Sequence, residues 1–315
     1  MSEQSLPGPV AVHEVGPERA ADVVAVVHAA FGARPVLDPP ATATDESIES
    51  VAETLESHRG LLALAGEQPV GAMLLAPDGH LLRMRRVSVH PEAQNAGVAG
   101  AMIGTAERIA AEEGYDGLVL GARAELPSTV EFWRHLGYDE LDREGTWLTM
   151  AKALPVEAEA VSADDTHALG VRLAAVLRAG DLVILSGDLG AGKTTFTQGL
   201  GEGLKVRGQI TSPTFVISRV HPSLAGGPAL VHVDAYRLGG IEELDDLDLD
   251  TSLDEAVTVV EWGEGVAEGL ADTRLEVTLT RARGDDPHGE SDPRHVRFTP
   301  VGARWIGAGL HEALA

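Results

Sequence analysis

Two short stretches carry residues whose types and spacing suit chemistry on phosphate-bearing ligands. Gly187 to Thr194, inside DLVILSGDLGAGKTTF, satisfies the pattern G-x-x-x-x-G-K-[ST], with an apolar run before it and helical spacing after it. Glycines there let backbone N–H groups curl around phosphate oxygens, and a helix opening near Lys193 adds its positive end. Lysine occurs only at positions 152, 193 and 205. At Lys193 it supplies a mobile point charge that the planar fork of an arginine would not replace well, and the Thr194 hydroxyl is suited to magnesium. The second stretch is Gln94-x-x-Gly97-x-Ala99, which follows RRVSVHP and opens another helical run. Backbone N–H groups from about Asn95 to Gly100 at a helix N-terminus suit a pyrophosphate, with Gly97 and Ala99 small enough to let it approach.

These loops need elements to position them. DLVILSG reads as a short buried strand ahead of the lysine loop, and LVHVDAYRL and VTVVEWGE as later strands ending in Asp234 and in Glu261 with Trp262. Ligands of open α/β sheets sit at the carboxyl ends of the strands, so Asp234 and Glu261 are expected to face Lys193. RLEVTLT and VRFTP read as strands flanking the polar loop RARGDDPHGESDPRH, and ITSPTFVISRV as a strand-like segment. In the first half, ERAADVVAVVHAAFG and TDESIESVAETLES have amphipathic helical spacing, and GLLALAGEQPVGAMLLAP reads as two strands around a turn on Gly66 to Pro69. LLRMRRVSVHP and DGLVLGA read as strands, and GVAGAMIGTAERIAAEEG and PSTVEFWRHLG as helices. TWLTMAKAL closes this half, and SADDTHALGVRLAAVL opens the next with Ser162 as cap and Asp164 and Asp165 in the first turn. The segment between them is the expected boundary, giving domains 1–153 and 154–315, each mixed α/β.

GDLGAGKTTF, SPTF, HVDAYRL and VEWGE, in that order, resemble the TsaE family, P-loop ATPases of bacterial tRNA threonylcarbamoyladenosine synthesis. The resemblance runs from about Val161 onward and implies a P-loop NTPase-like fold that binds and slowly hydrolyses ATP. It also implies a complex with the TsaB and TsaD proteins, with tRNA reached only through that complex. Carried over by position, Gly187 and the run Gly190, Ala191, Gly192, Lys193, Thr194 and Thr195 cradle ATP, and Thr194 and Glu261 ligate Mg2+. The same carry-over makes Lys193, Asp234 and Glu261 catalytic, puts Trp262 beside the nucleotide and brings Thr166 into contact with it. Ser212, Pro213, Thr214 and Phe215 match a switch-like loop. The chain departs from the family pattern at His221, where a tyrosine is usual, and at Asp248, where a glycine is frequent.

The order of elements from Val10 to Lys152, with Gln94 to Ala99 and STVEFWRHLGY, resembles the GCN5-related N-acetyltransferase (GNAT) family. The resemblance implies that Gln94, Asn95, Ala96, Gly97, Val98 and Ala99 bind the pyrophosphate of acetyl-CoA, and that Val87 and Val89 offer backbone groups to its pantetheine arm. Trp133 stands where many relatives place a tyrosine general acid, and an indole cannot serve that role. Tyr138 reads as a core aromatic. Glu125, a Ser88-bound water or no residue at all remain as bases, and Arg83, Arg85 and Arg86 either draw an anionic substrate or edge a strand. This half is thus either an acetyltransferase of unknown amine acceptor or a CoA-binding or scaffolding module.

Composition limits the rest. At 315 residues the chain suits about two domains of ~150 residues. The net charge of −25 disfavours direct grip on a nucleic-acid backbone, because the long-range field repels it. With no cysteine, disulfides and thiolate zinc sites are excluded. No apolar run approaches the ~18–20 residues of a membrane span, and the N-terminus lacks a basic stretch followed by an apolar block, so a cytoplasmic protein with no membrane partner is expected. A GTPase is disfavoured because none of the three lysines lies in an [NT]-K-x-D motif. A small-molecule kinase fused to a non-catalytic GNAT module is the alternative reading.

Overall fold

The computed structural model describes residues 8–35, 37–40, 42–213, 217–236, 254–281 and 293–314. The chain forms two compact units, Met1–Lys152 and Ala153–Ala315.

The first unit is built on a sheet of order β1-β2-β3-β4-β5-β7-β6, made of β1 (Val10–Val15), β2 (Arg59–Ala65), β3 (Gln68–Asp78), β4 (Leu81–Val89), β5 (Gly117–Arg123), β6 (Asp139–Glu144) and β7 (Trp147–Ala153). Helix α1 (Ala20–Gly32) buries Ala20, Val23, Val24 and Val27 at helical spacing, packing with α2 (Ile48–Ser57) over Leu62, Ala72 and Leu74. A capping box between Ser47 and Ser50 starts α2. The β2–β3 turn is tighter than the expected Gly66–Pro69: Pro69 already pairs with Leu64, leaving only Gly66 and Glu67 outside the ladder.

Strands β4 and β5 are parallel, and their pairing runs from Leu81↔Gly117 to Met84↔Leu120 only. Beyond it β4 continues to Val89, and its pairing with β3 slips between Ala72 and Leu74 around Arg86, whose φ is +54°. This bulge turns the end of β4 away from β5 and opens a gap. Helix α3 (Val98–Glu112) follows β4 and α4 (Pro127–His135) follows β5. Strand β6 has no counterpart in the sequence reading, because DELDRE is polar on both faces, as an exposed edge strand can be.

The second sheet has the order β10-β11-β12-β9-β13-β14-β8. Its strands are β8 (Val156–Ala160), β9 (Leu182–Ser186), β10 (Ser218–His221), β11 (Ala229–Asp234), β12 (Ala256–Glu261), β13 (Arg274–Arg281) and β14 (Arg294–Val301). The first of these corrects the reading of the boundary as a plain connection. Val156 and Ala160 point into the core while Glu157 faces out, and the segment pairs antiparallel with β14. Strands β11, β12, β9 and β13 are mutually parallel, so their carboxyl ends share one edge. Helix α5 (Ala163–Ala174) starts at Ser162, whose side chain accepts from Asp165 N–H. It packs directly against α6 (Lys193–Gly203): a Cβ on Gly170 would run into the Phe196 carbonyl oxygen, and one on Gly199 into that of His167. Two side-chain-free contacts thereby fix the helix that begins with Lys193.

Candidate functional sites

In the second unit, β9 ends at Ser186 and the chain turns through Gly187 to Gly192 into α6. Gly187, Gly190 and Gly192 have φ of +139°, +81° and +106°, values that only glycine adopts without strain. The first intrahelical bond is Phe196 N–H to Gly192 O, so the N–H groups of Lys193, Thr194 and Thr195 have no acceptor within the helix.

Across from this loop, Asp234 and Glu261 are direct register partners at the ends of β11 and β12. Lys193, Thr194, Asp234 and Glu261 line one cavity of about 450 Å³, together with Gly190, Gly192, Thr195, Ser212, Tyr236, Trp262, Leu189 and Arg294. Lys193 Nζ donates to Gly187 O at 2.6 Å and Asp188 O at 3.1 Å, and lies 3.6 Å from the centre of the Trp262 ring. Burial lowers the Lys193 pKa, opposed by the charges of Glu261, Asp234 and Asp188. Thr194 Oγ1 stands 3.3 Å from Glu261 Oε2, and Glu261 Oε1 lies 2.9 Å from His232 Nε2 in a fully buried pair. Asp234 is held by the Ser212 hydroxyl at 3.0 Å and the Tyr236 N–H at 3.0 Å.

Several candidate residues stand elsewhere. Thr166 is fully buried beneath the loop, its hydroxyl donates to Ser162 O, and its methyl would lie 3.3 Å from a Cβ on Gly192. It supports the loop from below instead of lining the cavity. Gly187 and Ala191 also lie behind the lining, Gly187 offering its carbonyl to Lys193. Ala191 is buried and its carbonyl accepts from Arg294 Nε at 2.9 Å. Pro213 is buried and accepts from Ile217 N–H, while Thr214, Phe215 and Asp248 lie outside the described residues. His221 is buried on β10 with Nδ1 3.2 Å from Arg207 O, and burial pushes its pKa below the ordinary histidine value.

Arg294, His232 and Tyr236 complete this site but were missed from the sequence. Tyr236 and His232 stand within HVDAYRL; the two-residue strand period puts His232 on the face of Asp234, but nothing in that stretch shows its contact with Glu261. Arg294 falls within RARGDDPHGESDPRH, read from sequence as a loop, yet it opens β14; residues 282–292 of that stretch lie outside the described residues. No local signal linked it to a glycine loop a hundred residues earlier.

In the first unit, Gly97 (φ +75°) precedes α3 and leaves the N–H groups of Val98, Ala99 and Gly100 without intrahelical acceptors. These residues line a cleft of about 460 Å³ with Gln94, Asn95, Val87, Val89 and Trp133. Ala96 is exposed outside that lining, and the Val98 side chain is buried against Gly71. Tyr138 is fully buried, its ring edge-on to Trp133 and its hydroxyl 3.5 Å from Glu107; burial drives its pKa upward. The Arg123 guanidinium holds Glu125 down to about 2. Neither group is a proton carrier near neutral pH. The Ser88 hydroxyl is buried and donates to Arg86 O at 2.8 Å.

Comparison with known proteins follows the same division. The profile of the family "Threonylcarbamoyl adenosine biosynthesis protein TsaE" matches residues 160–288, and that of the "Acetyltransferase (GNAT) family" matches residues 29–138. The tRNA threonylcarbamoyladenosine biosynthesis protein TsaE of Streptomyces coelicolor is 64% identical over 141 residues, covering 44% of this chain and 93% of that protein. The chain belongs to the TsaE family. Its TsaE unit is joined to a GNAT-family unit in one polypeptide. Among solved structures, Bacillus subtilis YdiB is 35% identical, with 49% of this chain and 90% of that one covered and a TM-score of 0.38. The PaiA N-acetyltransferase of Thermoplasma acidophilum, in complex with coenzyme A, is 15% identical, with 46% and 99% covered and a TM-score of 0.42. Among the described residues no helix is long and apolar enough to cross a membrane.

Proposed function

We propose that the TsaE unit binds ATP with Mg2+ and hydrolyses it in the threonylcarbamoyladenosine modification of tRNA, working with TsaB and TsaD proteins. The observation carrying this reading is the convergence of Lys193, Thr194, Asp234 and Glu261 on one cavity at the mouth of a glycine loop. The donor set suits the metal. Thr194 and Glu261 offer neighbouring oxygens, and an Mg2+ ion bound by one or two side chains takes its remaining ligands from substrate phosphates and water. Bound there, the ion would neutralise phosphate charge during hydrolysis.

The chain's own residues do the remaining work. Lys193 transfers its hydrogen bonds from Gly187 O and Asp188 O to phosphate oxygens. His232 fixes the rotamer of Glu261. Asp234, oriented by Ser212 and Tyr236, accepts a hydrogen bond from the attacking water. Lys193→Ala is expected to abolish ATP binding and threonylcarbamoyladenosine formation in cells that depend on this protein; normal modification in the variant would refute the assignment. Co-purification from the native cell tests the partnership, with TsaB and TsaD recovered in the expected outcome. The compartment consistent with this work is the cytoplasm.

The GNAT unit is proposed to bind acetyl-CoA, with its pyrophosphate on the free N–H groups of Val98 to Gly100 and its pantetheine arm along Val87 and Val89. Acetyl-CoA supplies an activated acetyl group. The protein contributes alignment with an amine acceptor, since Glu125 and Tyr138 cannot move the proton. A calorimetric titration with acetyl-CoA tests it, and the absence of both heat and a thermal shift would overturn it.

A further inference from the structure

A second cavity of about 290 Å³ lies in the gap where β4 parts from β5. It shares Arg34, Val87, Thr129 and Trp133 with the α3 cleft, so the two open onto a common junction. Five arginines line it (Arg34, Arg83, Arg85, Arg86 and Arg123) and no acidic side chain does.

Three of these arginines are neutralised within the fold. Arg83 pairs with Asp78, and Arg86 pairs with Glu46 at 2.8 Å. Arg123 pairs with Glu125 at 2.7 Å and also donates to the carbonyl oxygens of Asp38 and Pro39, pinning that loop. Arg34 and Arg85 make no ion pair or side-chain hydrogen bond among the described residues. Burial raises the Glu46 pKa, but the Arg86 and Ser50 hydrogen bonds and the charge of Arg86 bring it down on balance, and Arg85 adds only the last and smallest part of that lowering. Arg34 is half-buried, stacks 3.9 Å from the centre of the Phe31 ring, and has its pKa lowered by burial with no carboxylate to offset it. A desolvated guanidinium without a counter-ion is costly unless something anionic joins it. The same lining carries apolar surface from Met84, Leu120, Leu126 and Trp147, with the Arg123 guanidinium 4.8 Å over the Trp147 ring.

From this lining we infer that the cavity holds the acetyl acceptor and that the acceptor is a small amine carrying a carboxylate beside an apolar body, its carboxylate bridging Arg34 and Arg85. The inference rests on the acetyltransferase reading of this unit. A polyamine or other cationic acceptor would meet two unopposed guanidinium groups and is rejected. The volume admits a molecule of amino-acid size. The ammonium of the acceptor first loses one proton to solvent. Its nitrogen then forms a bond to the acetyl carbonyl carbon while the carbon–sulfur bond breaks. The second amine proton ends on the departing thiolate, giving an N-acetyl amine and free CoA.

The test uses the full chain. A hydrophobic amino acid, its carboxamide analogue and a polyamine are each titrated calorimetrically with and without CoA, and the same three are offered as acceptors with acetyl-CoA. The carboxylate is expected to bind at least about tenfold more tightly than the carboxamide, as a charge-assisted contact requires. Arg34→Met is expected to erase that ratio and Arg34→Lys to restore part of it. Equal binding of carboxylate and carboxamide, or preference for the polyamine, would overturn the inference. Because the carboxylate preference is read without CoA, it stands apart from the acetyltransferase reading, which the CoA titration alone decides.

Discussion

The two glycine loops start from the same device and end in different surroundings. Each places a left-handed glycine immediately before a helix, Gly192 at φ +106° and Gly97 at φ +75°, and each leaves three helical N–H groups open. Around Gly192 the surroundings are crowded and charged: Thr166 and Arg294 press on the loop, Lys193 stands in it, and two strand-end carboxylates face it. Around Gly97 nothing approaches a would-be Cβ within 4 Å, and the loop itself carries no charged side chain. The charge in that unit sits one cavity away, on the arginines beside β4. On the reading proposed above, a site that breaks a phosphate bond gathers its lysine, its candidate metal ligands and a second carboxylate at the loop. A site that only anchors a phosphate needs backbone amides there and keeps its specificity elsewhere.

The strongest way to break this contrast is at the glycines. Gly187→Ala would drive a Cβ into the Leu279 carbonyl oxygen at a backbone φ of +139°. The expected cost is about 3 kcal/mol or more, from overpacking and strain together, read as a lowered thermal transition and lost ATP binding with acetyl-CoA binding intact. Next, Glu261→Gln is expected to raise the magnesium required for hydrolysis at least about tenfold, as loss of a charged ligand implies. His232→Ala is expected to shift the same requirement by less, because it frees the rotamer of Glu261 without removing its charge. An unchanged metal requirement in both variants would discard the ligand role. Gly97→Ala meets no steric barrier and is expected to cost only about 1 kcal/mol of strain, a severalfold loss of acetyl-CoA affinity with ATP binding untouched. If it matched Gly187→Ala in severity, the two loops would be equivalent after all.

The smallest effect is at Glu125. Its carboxyl is held at about 2 against an ordinary 4.5, chiefly by the Arg123 hydrogen bond. A depressed carboxylate contributes stability above its ordinary value and loses it as pH falls toward the depressed one, so the contribution is present above about pH 4.5 and is lost between 4.5 and about 2. Glu125→Gln is therefore expected to leave the pH profile of acetyl transfer unchanged near neutrality and to flatten acid unfolding only in that lower window. A general base at this position would instead show a lost acid limb, because a base must be deprotonated to act.

Much of the second unit was legible from sequence because its signals are local. A strand, a glycine run and a lysine specify a loop through φ angles and one charge, and HVDAYRL and VEWGE each end a strand in a carboxylate. The strands without such signals were not legible. DELDRE is polar on both faces, and VEAEA hides its inward Val156 and Ala160 among glutamates that read as a connection. Thr166 shows the other limit, since its place in a motif gave proximity to the loop but not the side from which it acts.

Sequence alone thus pointed to the two units, their glycine loops and the residue types that could act there, because backbone conformation and side-chain chemistry are properties of short segments. Tertiary structure alone decided which ends meet: Asp234 beside Glu261 by parallel register, His232 against Glu261 in the core, Arg294 against the loop, and Arg34 facing the gap between β4 and β5. Strand order and the bulge at Arg86 set those meetings. They depend on pairing between distant segments, for which no single stretch of chain carries the information.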